Sequence, residues 1–191
     1  MGTQRSRLLL VLFAAGTLAA CAGAGIVQPA IVTATYDPSV LQYIDSRGGL
    51  PTEVVGNPFN VPDEQVHSVV RDTMARSHFG PKFPFLAEKP QGFVSPYRMV
   101  VVLNPAPGAA AYHKLCASAA ASQAGKPAGG EVRVAAALCA TDRMITSTKG
   151  RVAGARGPQD PAFVGLIAQV SHALFPPRNE EDRDRMDWLP F

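Results

Sequence analysis

The 191-residue chain reads as a single α+β domain: a mixed, mainly antiparallel sheet with helices packed on one face, in the order β-α-β-α-β-β-α. Three observations predict this. Segments 62–77 and 160–174 carry apolar residues at helical spacing. Val100-Val101-Val102-Leu103 is too uniformly apolar for a half-exposed strand, so it belongs in the middle of a sheet. Glu131–Ala140 and Met144–Thr148 flank Thr141-Asp142-Arg143, a hairpin pattern.

Taken in order, Ser39–Asp45 is expected to form a short helical turn around Leu41 and Ile44, broken by Gly48-Gly49-Leu50-Pro51. Thr52–Val55 reads as a short strand stopped by Gly56-Asn57-Pro58. The 62–77 helix starts with Pro62 in its first turn, and Asp63 and Glu64 complement its N-terminal dipole. Val66, Val69, Val70, Thr73 and Met74 form its buried stripe, and Phe79-Gly80-Pro81 ends it. A Pro-rich loop runs to residue 96, and its Phe83, Phe85 and Phe93 are expected to close over the edge of the core. The Tyr97–Asn104 strand is stopped by Asn104-Pro105 and Pro107-Gly108. A helix over 109–124 puts Tyr112, Leu115, Cys116, Ala119 and Ala120 on one face, and Gly125 suits its C-terminal cap. After the hairpin, Lys149-Gly150 is expected to turn the chain again, with Arg151–Ala155 able to pair further. Asp160 and Pro161 supply the N-cap and first-turn proline of the last helix. Phe163, Val164, Leu166, Ile167, Val170 and Leu174 bury it before Pro176-Pro177.

Composition agrees with a folded domain rich in loops: 47% apolar residues, with 17 Gly and 17 Pro. The N-terminus has its own logic. Arg5 and Arg7 precede the apolar run Leu8–Ala15, which is too short to span a bilayer comfortably. Leu18-Ala19-Ala20-Cys21 follows. These features resemble the lipobox leader of bacterial lipoproteins, over residues 1–21. The resemblance implies a signal peptide over 1–20, cleavage before Cys21, diacylglycerol on the Cys21 sulfur and an acylated (palmitate-type) amine. Ala22 in place of Asp then implies outer-membrane sorting, with the body facing the periplasm. Several acyl chains on one residue make a durable membrane anchor. Residues 21–35 read as the lipidated cysteine and a flexible tether, of which 22–35 would reach about 50 Å when extended. The globular domain is expected over 36–177, with a charged tail over 178–191. The mature part, through Gly-Asn-Pro-Phe at 56–59, Tyr97-Arg98 beside the Val-rich strand and its two cysteines, is similar to small proteobacterial lipoproteins, a likeness that names no activity.

Net charge is +3, and removing Arg5 and Arg7 leaves 16 Lys and Arg against 15 Asp and Glu. That balance argues against nucleic acid as a partner, which needs a clustered basic face. With Cys21 assigned to lipid, Cys116 and Cys139 remain, an even pair in an oxidising compartment. Cys116 lies on the apolar helical face, and Cys139 alternates with Ala135 and Ala137 on one strand face. A disulfide pinning this helix to this strand is expected. The rival, a reactive thiol or metal pair, lacks an activating neighbour and a ligand-like spacing.

The four histidines do not assemble a metal site on paper. His67 and His78 are eleven residues apart, about 16 Å along one helix. Asp63 and His67 are expected to form a surface pair. His113 borders the face of its helix, and His172 should be solvated. No G-x-S-x-G elbow, H-E-x-x-H or phosphate loop occurs, so no catalytic residue, metal or cofactor is assigned. Glu53, Asn57 and Phe59 in a shaped loop, and Trp188 and Phe191 in the tail, are the candidate partner-binding residues. The expectation is a lipid-anchored, non-enzymatic binding or scaffolding module of the cell envelope, contacting another envelope protein or the cell wall. An envelope-polymer hydrolase is the alternative.

Overall fold

A computed structural model of the chain describes residues 25–106, 112–117 and 130–178. In chain order the elements are β1 (Ile26–Val27), β2 (Ile31–Val32), α1 (Ser39–Ser46), β3 (Leu50–Val55), α2 (Asp63–Ser77) and β4 (Phe85–Leu86). They continue with β5 (Tyr97–Leu103), α3 (Tyr112–Ala117), β6 (Glu131–Ala140), β7 (Arg143–Ala153) and α4 (Pro161–Leu174). The α+β class and the mixed, mostly antiparallel sheet stand as expected.

The sheet runs β1-β7-β6-β5-β3-β4, and β2 also pairs with β7. The β3 strand is parallel to both β5 and β4, while the other pairings are antiparallel. Connectivity explains the parallel pair. Helix α2 carries the chain back across the sheet between β3 and β5, as a parallel crossover requires.

Side chains of β5 alternate between two buried faces. Met99, Val101 and Leu103 join the main core with Val134, Ala136 and Leu138 of β6 and with α1, α2 and α4. Val100 and Val102 pack on the other face with Ala135, Ala137 and Cys139 of β6 and Leu115 and Cys116 of α3. The expectation of helices on one face is corrected here, because α3 lies on the opposite side from the other three. A strand as apolar as β5 leaves uncompensated surface unless both faces are covered. The alanines of β6 let α3 approach closely.

On the main face, α2 buries Val66, Val69, Val70 and Met74. Each such side chain contributes roughly 1.5–3 kcal/mol on burial. Helix α4 buries Phe163, Leu166, Ile167, Val170 and Leu174. Its Asp160 cap accepts a hydrogen bond from Ala162 N at 2.9 Å. The Arg156 N–H donates to the same carboxylate at 3.0 Å. These bonds hold the Asp160 carboxyl below its ordinary range, the one from Ala162 acting most strongly. The Tyr36 hydroxyl donates to Pro176 O at 2.7 Å, tying the segment after β2 to the end of α4.

Two further differences from expectation follow from pairing. The chain does not turn at Lys149-Gly150, because β7 continues through them, opposite Ala135 and Val134, to Ala153. Gly150 serves close approach instead. A Cβ there would meet Leu166 Cδ1 at 2.8 Å, Val27 Cγ2 at 3.0 Å and Ile26 O at 3.2 Å, so a bare backbone lets α4 and β1 close on β7. The second difference is the tether. Ile26–Val27 pairs with Arg151 and Gly150, and Ile31–Val32 with Ser147 and Thr146, so residues of the expected tether, up to ten positions before the expected domain boundary, are strands of the sheet. Gln28 N donates to Lys149 O at 2.8 Å and Thr148 Oγ1 to Gln28 O at 2.6 Å, which fixes the link between the two short strands. The segment looked like a linker because it is short of large apolar residues. An edge strand needs only backbone groups in register with its neighbour.

Candidate functional site

The loop after β3 was the strongest sequence candidate for a binding surface, and its residues lie close together. Gly56 opens it at φ +91°, where a Cβ would fall 2.5 Å from Leu103 O. Only glycine accommodates both the left-handed backbone and that approach. Asn57 then wraps the turn. Its Nδ2 donates to Val61 O at 2.6 Å and to Asp63 Oδ1 at 2.8 Å, and its Oδ1 accepts from Phe59 N at 2.9 Å. The Phe59 ring is half-buried and meets Phe163 edge-on at 5.1 Å between centroids. His67 Nε2 lies 3.1 Å from Gly56 O. The expected Asp63–His67 pair is therefore replaced: Asp63 takes Asn57, and His67 takes the loop backbone. This part of the loop is a clamp joining β3 to the start of α2.

Glu53 faces the other side of the sheet, with its side chain 46% exposed and Oε2 3.2 Å from Arg98 Nη1. Arg98, noted in the sequence only as part of the Tyr97-Arg98 pair beside the Val-rich strand, is a hub of three contacts. Its Nη2 donates to the carbonyl of Cys116 and its Nε to Thr141 O at 3.3 Å. One guanidinium thereby ties β3, α3 and the hairpin turn together, using the fixed fork of donors that lysine lacks. Next to it, Cys116 and Cys139 form the expected disulfide, with Cα atoms 5.7 Å apart. Both residues are buried.

His78 ends α2 inside an aromatic cluster. Its ring lies 4.3 Å from Phe83, 5.6 Å from Phe85 and 5.7 Å from Phe175. Nδ1 is 2.9 Å from Phe79 O, whereas Nε2 is buried with no hydrogen-bond partner among the described residues. Burial holds the imidazole below its ordinary pKa, against the opposing pull of the Phe79 carbonyl. Phe83 and Phe85 close the core edge as expected, and Phe93 is half-buried. His172 is exposed, also as expected.

Other polar groups serve the fold as well. Arg71 is nearly buried and pairs with Glu64. The Asp37 carboxyl is held below its ordinary range by hydrogen bonds from Ser39, and the buried Tyr36 hydroxyl is pushed up chiefly by desolvation. Among the described residues, no three His, Cys, Asp or Glu side chains gather where a metal ion would bind. Among them, too, no helix is long and apolar enough to cross a membrane. Of the expected contact residues, Glu53 offers a partly exposed carboxylate, while Asn57 and Phe59 act within the fold. Cys21, Trp188 and Phe191 lie outside the described residues, as do the leader over 1–20 and most of the 109–124 helix.

Sequence reasoning also passed over the outer face of β1 and β2. Ile26 is 59% exposed and Ile31 43% exposed there, in a segment read as linker. Two isoleucines in a stretch otherwise poor in large side chains were the available signal.

No protein-family model matches the chain. No curated protein matches it either. Among solved structures, the chain is similar to a PelC variant dodecamer from Paraburkholderia phytofirmans, with 16% identity, a TM-score of 0.45, and coverage of 81% of this chain and 99% of that one. It is likewise similar to a second PelC dodecamer from the same organism, with 15% identity, a TM-score of 0.44 and the same coverage of each chain.

Proposed function

We propose that this protein is a lipid-anchored envelope protein whose body is a non-enzymatic binding or scaffolding module, contacting another envelope protein or the cell wall. The observation that carries the proposal is the buried Cys116–Cys139 disulfide. Such bonds persist in oxidising compartments. A lipoprotein leader over residues 1–20 would deliver the chain to one.

The polar groups give further support. His67, Asn57, Asp63 and Arg98 each have a partner inside the fold, and His78 is sealed among aromatic rings. These residues brace loops, caps and helix ends, which suits a rigid platform. Outer-membrane sorting through Ala22, and contact through Glu53 and the Trp188–Phe191 tail, belong to the same proposal.

The test is substitution of Cys21 by serine in cells. The wild-type chain should fractionate with membranes and carry acyl mass on Cys21, and the variant should be released or remain as uncleaved precursor without that mass. A Cys21→Ser chain that matures and fractionates as before would overturn the anchor. Crosslinking in intact cells then addresses the binding role: a specific crosslinked envelope protein or wall fragment is the expected product. Turnover of a wall polymer by the purified protein would overturn the non-enzymatic reading.

A further inference from the structure

Residues 79–84 form a strap from His78, the C-cap of α2, to β4 at the end of the sheet. Its backbone ties are few. Strand β4 pairs only Phe85 with Leu50 and Leu86 with Pro51, on the edge of β3. Leu50 N donates to Pro84 O at 2.9 Å. Pro81 and Pro84 have no N–H to add to the ladder. Side chains hold the rest. Phe83 and Phe85 are buried with their rings 5.7 Å apart, and Phe85 meets Phe175, at the end of α4, at 6.2 Å. The His78 ring packs against all three and is itself buried.

The hydrogen bond of that ring decides where a proton can enter. Nδ1 faces the Phe79 carbonyl, which can only accept, so the neutral ring carries its hydrogen there. A second proton must enter at Nε2, which is buried and has no hydrogen-bond partner among the described residues. With the strap closed, the imidazolium would hold an N–H with no acceptor, among aromatic rings. Neighbouring charge adds to the cost. Among the described residues, the charged or titratable groups acting on the ring are Lys82 of the strap and His172 of α4, and both disfavour a positive ring; none acts from α2 or β4. Lys82 is kept beside it by donating to the carbonyls of Arg76 and His78. Burial, the largest influence, outweighs the Phe79 and Phe83 carbonyls, which favour the charged ring.

We infer that proton uptake at His78 Nε2 releases the strap and β4, residues 79–86, from the sheet while the other strands and helices stay in place, so that this edge of the domain is an acid-released gate over β3. Opening frees the Leu50 N–H and uncovers Phe175. It also uncovers Leu41, which lies under Gly80: a Cβ there would be 3.2 Å from Leu41 Cδ1. An edge unit with two paired residues opens at lower cost than the long β5-β6-β7 ladders. The sign follows from the two forms. The open ring titrates near the ordinary value of about 6.5 and the closed ring below it. The closed form is therefore fully favoured above about 6.5 and loses about tenfold per pH unit beneath it, until the closed ring titrates too.

The test uses the chain as isolated from cells, with its disulfide intact. Hydrogen exchange, corrected for the intrinsic effect of pH, is followed from pH 7.5 to 4.5 at Leu50 and over residues 79–86, with β6 and β7 as reference. Side-chain NMR of the imidazoles reads protonation and tautomer. The expected results are hydrogen on Nδ1 of His78 at pH 7.5, and exchange at Leu50 and 79–86 that rises about tenfold per pH unit below about 6.5 while β6 and β7 keep their rates. His78→Phe should abolish the rise, and His172→Gln should retain it. If His78→Phe does not fold, the parent still decides, because the onset of exchange must follow the titration of His78 and not that of His172.

Flat exchange at Leu50 while His78 titrates would show the ring charging in place and overturn the gate. An equal rise in β6 and β7 would assign the effect to unfolding of the whole domain and overturn it too. Hydrogen on Nε2 at pH 7.5, or a rise lost in His172→Gln, would remove His78 Nε2 as the trigger.

Discussion

Replacing Cys116 and Cys139 by alanine cuts the one covalent tie between α3 and the sheet. The closed loop has a sequence separation of 23 residues. The chain-entropy relation for a loop of that size gives about 3.4 kcal/mol at 25 °C. Over a domain of this length, each kcal/mol moves the melting temperature by about 2–4 °C, so a drop of roughly 7–14 °C is expected. The sulfurs also fill space among Val100, Val102, Leu115, Ala135 and Ala137. Reduction of the parent removes the cross-link and keeps the sulfurs, whereas the double alanine variant removes both. Urea unfolding of oxidised parent, reduced parent and variant therefore separates the two effects. Most of the loss should appear on reduction alone, with a smaller increment for the variant. A reduction cost below about 1 kcal/mol, or two labelled thiols in the folded oxidised protein, would refute the argument that this bond pins α3.

Two further outcomes follow from the packing. His78 is held below its ordinary pKa by burial, so the unfolded chain takes up its proton first as pH falls. Stability should be full above the unfolded value of about 6.5 and decline below it, by at most about 1.4 kcal/mol per pH unit from this residue. His78→Phe, matched to its ring neighbours, should flatten that slope, and an unchanged slope in urea midpoints between pH 8 and pH 5 would remove His78 as the cause. Gly150→Ala forces a methyl against Leu166, Val27 and the Ile26 carbonyl. It should cost about 1–3 kcal/mol in thermal unfolding and speed hydrogen exchange in β1, while a neutral result would show that the strands yield freely.

Much of the fold was legible because its causes are local. The helical spacing of Val66, Val69, Val70 and Met74 recurs in α2, and Asp160 caps α4 from the position its neighbours require. The disulfide was legible through pattern: Cys116 on an apolar helical stripe and Cys139 between small residues on a strand. The same facts implied a second covered face, since Val100 and Val102 alternate with Met99, Val101 and Leu103. One-sided packing was expected because periodicity shows which residues a helix buries and does not show which side of a sheet receives them.

The candidate site was less legible. Asn57, Phe59, Asp63 and His67 were recognisable as a polar, turn-rich group, but whether such a group faces a partner or its own chain depends on what lies beside it. Here Val61 O, Gly56 O and Phe163 lie beside it, across distances that residue spacing along the chain does not encode.

Residue order alone determined the helices, the central strand, the hairpin and the paired cysteines, since each depends on neighbours within a few positions or on one apolar stripe. Tertiary structure decided that Ile26 and Ile31 pair with β7, that Gly150 lies within a strand, that α3 sits across the sheet from its companions, and that Arg98 links three segments. Those outcomes depend on register and close approach between residues far apart in the chain, where backbone hydrogen bonds and missing side-chain atoms leave little trace in local composition.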